Sequence, residues 1–236
     1  PIGEPAPLVV MNLAAHPDDE DGRTLAYYRG AKNAVAYSVV YTRGEGGQNA
    51  IGPELFEALG VLRTEELMAM HRYDGVEQLF GRPYEFGYSF SVEETFEKWG
   101  REESLGDVVR VLRDFRPDVV LTLPMESEGG GQHHQAVAQL TRDAFRVAAR
   151  AERFEGQIRE GRRPWQARKL YQGGTGGYPV DLPGDPVRLE TGVYETSGKG
   201  KTKTTTFTLT DQFAPGDGVV IRAHVVDQSS GQPLAG

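Results

Sequence analysis

The chain has 236 residues, of which 38% are hydrophobic and 25% charged, enough for one large domain or one domain plus a small module. A net charge of -8, a pI of about 5.2 and no Lys/Arg cluster in the first half argue against a nucleic-acid partner, because phosphate contacts need cations. No apolar run approaches the roughly 20 residues of a membrane-spanning helix, and with 0 cysteines there are no thiolate zinc sites and no disulfides.

From residue 8 to about 172 strands and helices alternate. Leu8 to Ala15 reads as a buried strand, Gly22 to Lys32 as a short helix, and Ala34 to Thr42 as a second, β-branched and aromatic strand. Arg43 to Gly52 is a Gly-rich polar loop. Pro53 to Met70 is predicted helical, with Leu55, Ala58, Leu59 and Leu62 on one face. Val76 to Phe80 is a candidate strand. Leu105 to Phe115 repeats the helical stripe, Asp118 to Leu123 is an apolar strand ended by Pro124, and His134 to Ala151 is an amphipathic helix. The alternation predicts an α/β fold, a Rossmann-like and mostly parallel sheet with helices on both faces.

The pattern changes after Tyr171. Residues 173–185 read as a Gly/Pro-rich linker, and 186–236 as a Thr-rich all-β segment of three or four strands. About fifty residues is roughly half of an immunoglobulin-like sandwich. The chain opens on Pro1 rather than Met and stops at a turn-like Gln232–Gly236, so a longer natural product is expected. The basic trio Lys199, Lys201 and Lys203 reads as a solubilised edge or turn.

Chemistry is concentrated in Ala15-His16-Pro17-Asp18-Asp19-Glu20, where the first strand gives way to a loop. In open α/β sheets ligands bind outside the carboxyl ends of the strands. His16 and Asp19, three apart across a turn, can converge on one ion, leaving Asp18 to take a proton from water. Equally, Asp18 and Asp19 can cap the helix near Gly22 while His16 packs on the sheet. A second cluster, His133-His134, follows the strand ending at Leu123, at a matching place in the topology. Arg43, Glu45 and Gln48 lie on the Gly-rich loop of the same rim, to contact a bound substrate or simply to serve a tight turn. Arg63 and Glu66 are i,i+3 helix neighbours suited to a surface ion pair. Trp99 and Trp165 read as core, His71 and His224 as structural.

In these segments the chain resembles the PIG-L (LmbE-like) family of zinc-dependent N-deacetylases. The matching residues are AHPDDE at 15–20, TRGEGGQN at 42–49, Arg63-Thr64-Glu65-Glu66, Arg116-Pro117-Asp118-Val119-Val120 and His134-Gln135-Ala136, in order over residues 8 to 172. The resemblance implies one zinc ion per chain held by His16, Asp19 and His134, Asp18 as general base, and Arg63 reaching the substrate. It implies removal of an N-acetyl group from an N-acetylglucosamine-type sugar or glycoconjugate. The readings beside it are an amidase for another N-acyl sugar conjugate and a catalytically weak sugar-binding or surface module. The chain departs from the family pattern at Gly131, where a further His is common, and at His133, where Asp is common. The first departure removes an expected oxyanion donor, a role assigned here to His133 or Gln132. The Thr-rich tail points to an exported, extracytoplasmic enzyme, with the cytoplasm as the alternative.

Overall fold

A computed structural model describes residues 6–124 and 131–172, and the backbone of three strands between 187 and 225. The chain divides into two units, 1–175 and 176–236. The expected linker at 173–185 and the Lys199 to Lys203 patch lie outside the described residues.

The first unit holds a five-stranded parallel sheet in the order β3-β2-β1-β4-β5. Its strands are β1 (Val9–Ala14), β2 (Val35–Val40), β3 (Glu77–Phe80), β4 (Val119–Thr122) and β5 (Lys169–Gln172). Between them run α1 (Gly22–Ala31), α2 (Glu57–Asp74), α3 (Val92–Trp99), α4 (Arg101–Phe115), α5 (His133–Val147) and α6 (Glu155–Arg159).

The strand period of two assigns the faces. Met11, Leu13 and Ala15 join Val108, Leu112, Val137 and Leu140 of α4 and α5 in one apolar cluster. Ala14 turns the other way and meets Val40 and Leu67 of α2. β1 is therefore covered on both sides, which is why it reads as a continuous apolar run.

The order of strands carries the functional consequence. The chain steps outward from β1 to β2 and β3, then returns across the sheet to place β4 on the other side of β1. Val10 pairs with Val119 and Leu13 with Thr122, so the loops leaving β1 and β4 emerge side by side. Such a reversal opens a crevice at the carboxyl ends of the strands.

Several boundaries differ from the sequence expectation. α2 starts at Glu57 rather than Pro53, because the Asn49 side chain gathers residues 51–54 into a turn. Its Oδ1 accepts from the Ile51 and Gly52 amides, and its Nδ2 donates to Glu54 O. Leu55 and Phe56 thus stay outside the helix and exposed. α1 is capped by Asp21, whose carboxylate accepts from the Thr24 amide, so Asp18 and Asp19 are not its caps.

The second unit contains one antiparallel sheet, β7-β6-β8, formed by β6 (Val187–Ser197), β7 (Thr204–Leu209) and β8 (Val220–Val225). Among the described residues no helix is long and apolar enough to cross a membrane.

Candidate metal centre

The loop after β1 and the first turn of α5 bring three donor atoms together. His16 Nδ1 lies 2.9 Å from Asp19 Oδ2 and 3.1 Å from His134 Nε2. Asp19 Oδ2 lies 3.0 Å from His134 Nε2. Asp19 Oδ2 also accepts from the His16 backbone amide at 2.8 Å, which locks the turn. In a tetrahedral zinc site with ligands about 2.1 Å from the ion, the donor atoms stand roughly 3.4 Å apart. Two ring nitrogens and a carboxylate oxygen, drawn from segments 118 residues apart, suit a borderline divalent metal. Burial acts to raise the pKa of Asp19. Its hydrogen bonds to His134 and His16 overcome this and hold it well below the usual carboxylate range.

Asp18 stands beside this cluster with φ at 112° and a side chain 75% exposed. The surrounding protein first, and the charge of Asp19 second, raise its pKa above the ordinary value, although its carboxylate faces solvent. Arg63 of α2 opposes that rise. Its Nη2 donates to Asp18 Oδ1 at 2.8 Å and also to the Pro17 carbonyl, and its Nη1 donates to Gly44 O at 3.4 Å. Arg63 therefore pairs with the site rather than with Glu66. The Gly-rich loop now has a steric reason. Gly44 has φ +70, and a Cβ there would overlap the Arg63 guanidinium.

Arg43 is not brought to the cluster. Its Nη1 donates to Thr64 Oγ1 at 2.9 Å, and its guanidinium lies 4.3 Å over the Phe80 ring. Glu45 is buried and structural, since Oε2 accepts from the amides of Arg43 and Glu85.

His133 is buried at 1% exposure behind His16, with its Nδ1 3.2 Å from His16 Nε2. Trp99 stacks on its ring with centroids 4.8 Å apart and planes at 20°, and Phe86 meets it edge-on at 4.5 Å. Burial first, then the neighbouring His16 and His134, push its pKa down to about 3. An oxyanion donor needs an N–H open to a substrate carbonyl, and this placement does not offer one.

Sequence reasoning missed Glu85, Phe86 and Trp99 as the surroundings of His133. Trp99 packs on the core as expected, but it also stacks on His133 behind His16 and donates from its indole N–H to Tyr84 O at 3.0 Å. Trp165 is half-buried and donates to Pro117 O at 2.8 Å. His71 is structural, its Nδ1 3.0 Å from Asp74.

Residues 11–145 match the family profile described as PIG-L, GlcNAc-PI de-N-acetylase. The chain belongs to the PIG-L family. Among similar proteins, the 1D-myo-inositol 2-acetamido-2-deoxy-alpha-D-glucopyranoside deacetylase 1 of Frankia alni is 30% identical over 197 residues, covering 74% of this chain and 65% of that protein. The deacetylase of the same name from Kineococcus radiotolerans is 31% identical over 208 residues, covering 77% of this chain and 54% of that protein. The chain thus spans between about half and two thirds of the length of these relatives. The same fold occurs in N,N'-diacetylchitobiose deacetylase from Pyrococcus horikoshii, with a TM-score of 0.56 at 18% identity, covering 67% of this chain and 57% of that one. It occurs as well in GalB, the 4-carboxy-2-hydroxymuconate hydratase of Pseudomonas putida KT2440, with a TM-score of 0.54 at 19% identity, covering 70% of this chain and 65% of that one. A PIG-L-like fold therefore does not by itself decide the reaction.

Proposed function

We propose that the first unit is the catalytic core of a zinc-dependent hydrolase that removes the N-acetyl group from an N-acetylglucosamine-type sugar or glycoconjugate. The observation that carries this reading is the convergence of His16 Nδ1, Asp19 Oδ2 and His134 Nε2 beside a carboxylate, Asp18, that is not itself part of the trio. Membership of the PIG-L family and relatives named as deacetylases of a 2-acetamido sugar support it.

The trio would hold zinc, which when bound polarises an amide carbonyl and brings the pKa of water towards about 7. Asp18 acts as general base and then as acid. Arg63 holds its Oδ1, leaving Oδ2 to take the proton of the attacking water and return it to the departing amine. Asp18 belongs to the loop between His16 and Asp19, so its distance from the metal ligands is set by the same turn. Arg63, at half-buried depth beside that carboxylate, is placed to steady the negative charge that grows on the acyl oxygen or to contact a sugar hydroxyl.

One observation favours a second reading, a metal-holding sugar-binding module with slow turnover. Gly131 has no side chain with which to stabilise the developing oxyanion. Release of acetate from a panel of N-acetylated sugars and other N-acyl conjugates, with zinc added, separates the readings. Zinc-dependent release supports the deacetylase. Tight sugar binding without release supports the module, and neither would defeat both. The expected export rests on the Thr-rich tail alone, and secretion of the full-length gene product tests it.

A further inference from the structure

A histidine that binds a metal through Nδ1 carries its proton on Nε2, and a partner that accepts that proton fixes the tautomer. The partner of His16 Nε2 is the Nδ1 of His133, at 3.2 Å. We infer that His133 is a positioning residue for the metal centre: its Nδ1 accepts a hydrogen bond from His16 Nε2–H and so holds His16 with Nδ1 turned to Asp19 and His134. The inference rests on the metal reading above and assigns no direct contact between His133 and substrate.

Three features of the site support it. The Trp99 stack and the Phe86 edge hold the His133 ring in one plane, so its Nδ1 is aimed before a metal arrives. A neutral imidazole in this role accepts a hydrogen bond without bringing a charge into an aromatic pocket. When Nδ1 accepts, His133 Nε2 carries the hydrogen, and that atom is buried with no partner among the described residues. A side chain kept only to fill space would not carry that cost.

The same atoms admit a competing arrangement. His16 Nε2, His133 Nδ1 and Glu85 Oε1 lie close enough to hold a second ion. The details speak against it. Glu85 Oε1 already accepts from the Gly87 amide at 2.7 Å and stands 3.6 Å from His133 Nδ1.

The test compares the full-length wild type with His133→Phe and His133→Asn. Phe keeps a ring against Trp99 and removes the acceptor, whereas Asn places an oxygen near the position of Nδ1. Metal content by elemental analysis, cobalt(II) affinity and the cobalt d–d spectrum are read alongside the melting temperature of the metal-free forms. We expect one metal per wild-type chain. His133→Phe should bind cobalt roughly 10–100-fold more weakly, with a shifted spectrum, and His133→Asn should return most of the affinity and the wild-type spectrum. Should the Phe variant not fold, His133→Leu makes the same comparison. Wild-type affinity and spectrum in the acceptor-less variant overturn the inference while leaving the metal reading intact. Two ions per wild-type chain, falling to one in His133→Phe, make His133 a ligand and overturn it as well. A wild type that holds no metal defeats the metal reading and this inference with it.

Discussion

Gly131 and Ser89 meet backbone to backbone. A Cβ at position 131 would stand 3.2 Å from the Ser89 nitrogen and 3.3 Å from its oxygen, and φ at Gly131 is 72°. The Gln132 amide donates to Ser89 O at 3.2 Å. Ser89 is itself pinned, its Oγ 2.7 Å from Thr95 Oγ1 in α3. A side chain at this position, where family members commonly carry a histidine, needs the Ser89 backbone to give by a few tenths of an ångström and sits on a left-handed backbone.

Restoring that side chain should therefore not restore an oxyanion donor. Gly131→His and Gly131→Ala are each expected to lose about 1–2 kcal/mol of stability from the left-handed backbone alone. Neither should raise turnover. Urea unfolding and acetate release measure the two effects, and a Gly131→His enzyme faster than wild type would contradict this account.

Asp18 and Arg63 should fail together. Asp18→Asn is expected to keep its metal and to lose about 10²–10⁴ in kcat, because the amide cannot accept a proton. Arg63→Met should also leave metal content unchanged and lower kcat, since Asp18 loses the donor that orients it. The double variant should be little worse than Asp18→Asn, as expected for residues acting as one unit. Additive losses would separate their roles.

His134→Ala should abolish stoichiometric metal binding, because it removes one of three donors that stand within 3.1 Å of each other. Metal should stabilise the wild type by about 2.7 kcal/mol at a hundredfold excess over the dissociation constant. Calorimetry with and without a chelator reads this directly. The stabilisation should vanish in His134→Ala, and an equal increment in both proteins would remove His134 from the centre.

Arg113 should matter to stability and not to the metal. Its buried guanidinium makes hydrogen bonds to the carbonyls of Ala148, Arg150, Arg153 and Phe154 and to Gln157 Oε1. It fastens the turn between α5 and α6 with no carboxylate partner among these contacts. Arg113→Lys leaves several of those oxygens unpaired and should cost about 2–4 kcal/mol. Denaturant unfolding gives the loss, and metal affinity of the folded variant should stay at the wild-type value.

The buried strands were legible because β1, β2 and β4 are apolar runs that end at loops. The meeting of His16, Asp19 and His134 was legible for the same reason, since both histidine segments follow such strands. That β1 and β4 are neighbours was not, because strand order is settled by packing across the whole sheet. α3 went unread between residues 92 and 99, although a signal was present. Ser91 caps the helix, its Oγ accepting from the Glu94 amide at 3.0 Å, and Glu94 Oε2 reaches back to the Phe90 amide at 2.9 Å, a Ser-x-x-Glu pattern that resembles a capping box with the glutamate bonded one residue before the cap. β5 is four residues at the sheet edge with exposed ends, too short for a period to show. The buried face of His133 had no motif at all, because Glu85, Phe86 and Trp99 come from a loop and a helix end that only the fold brings near.

His16 and His134 are 118 residues apart in the chain, so an ion held by both is a clasp on a long loop. Closing a loop of that length costs an unfolded chain roughly 4–5 kcal/mol of freedom. During synthesis such a clasp could not close before the start of α5, which carries His134, had left the ribosome. In the finished protein, parting those two strands separates the ligands. An ion held there would therefore oppose opening of the sheet along the seam between β1 and β4.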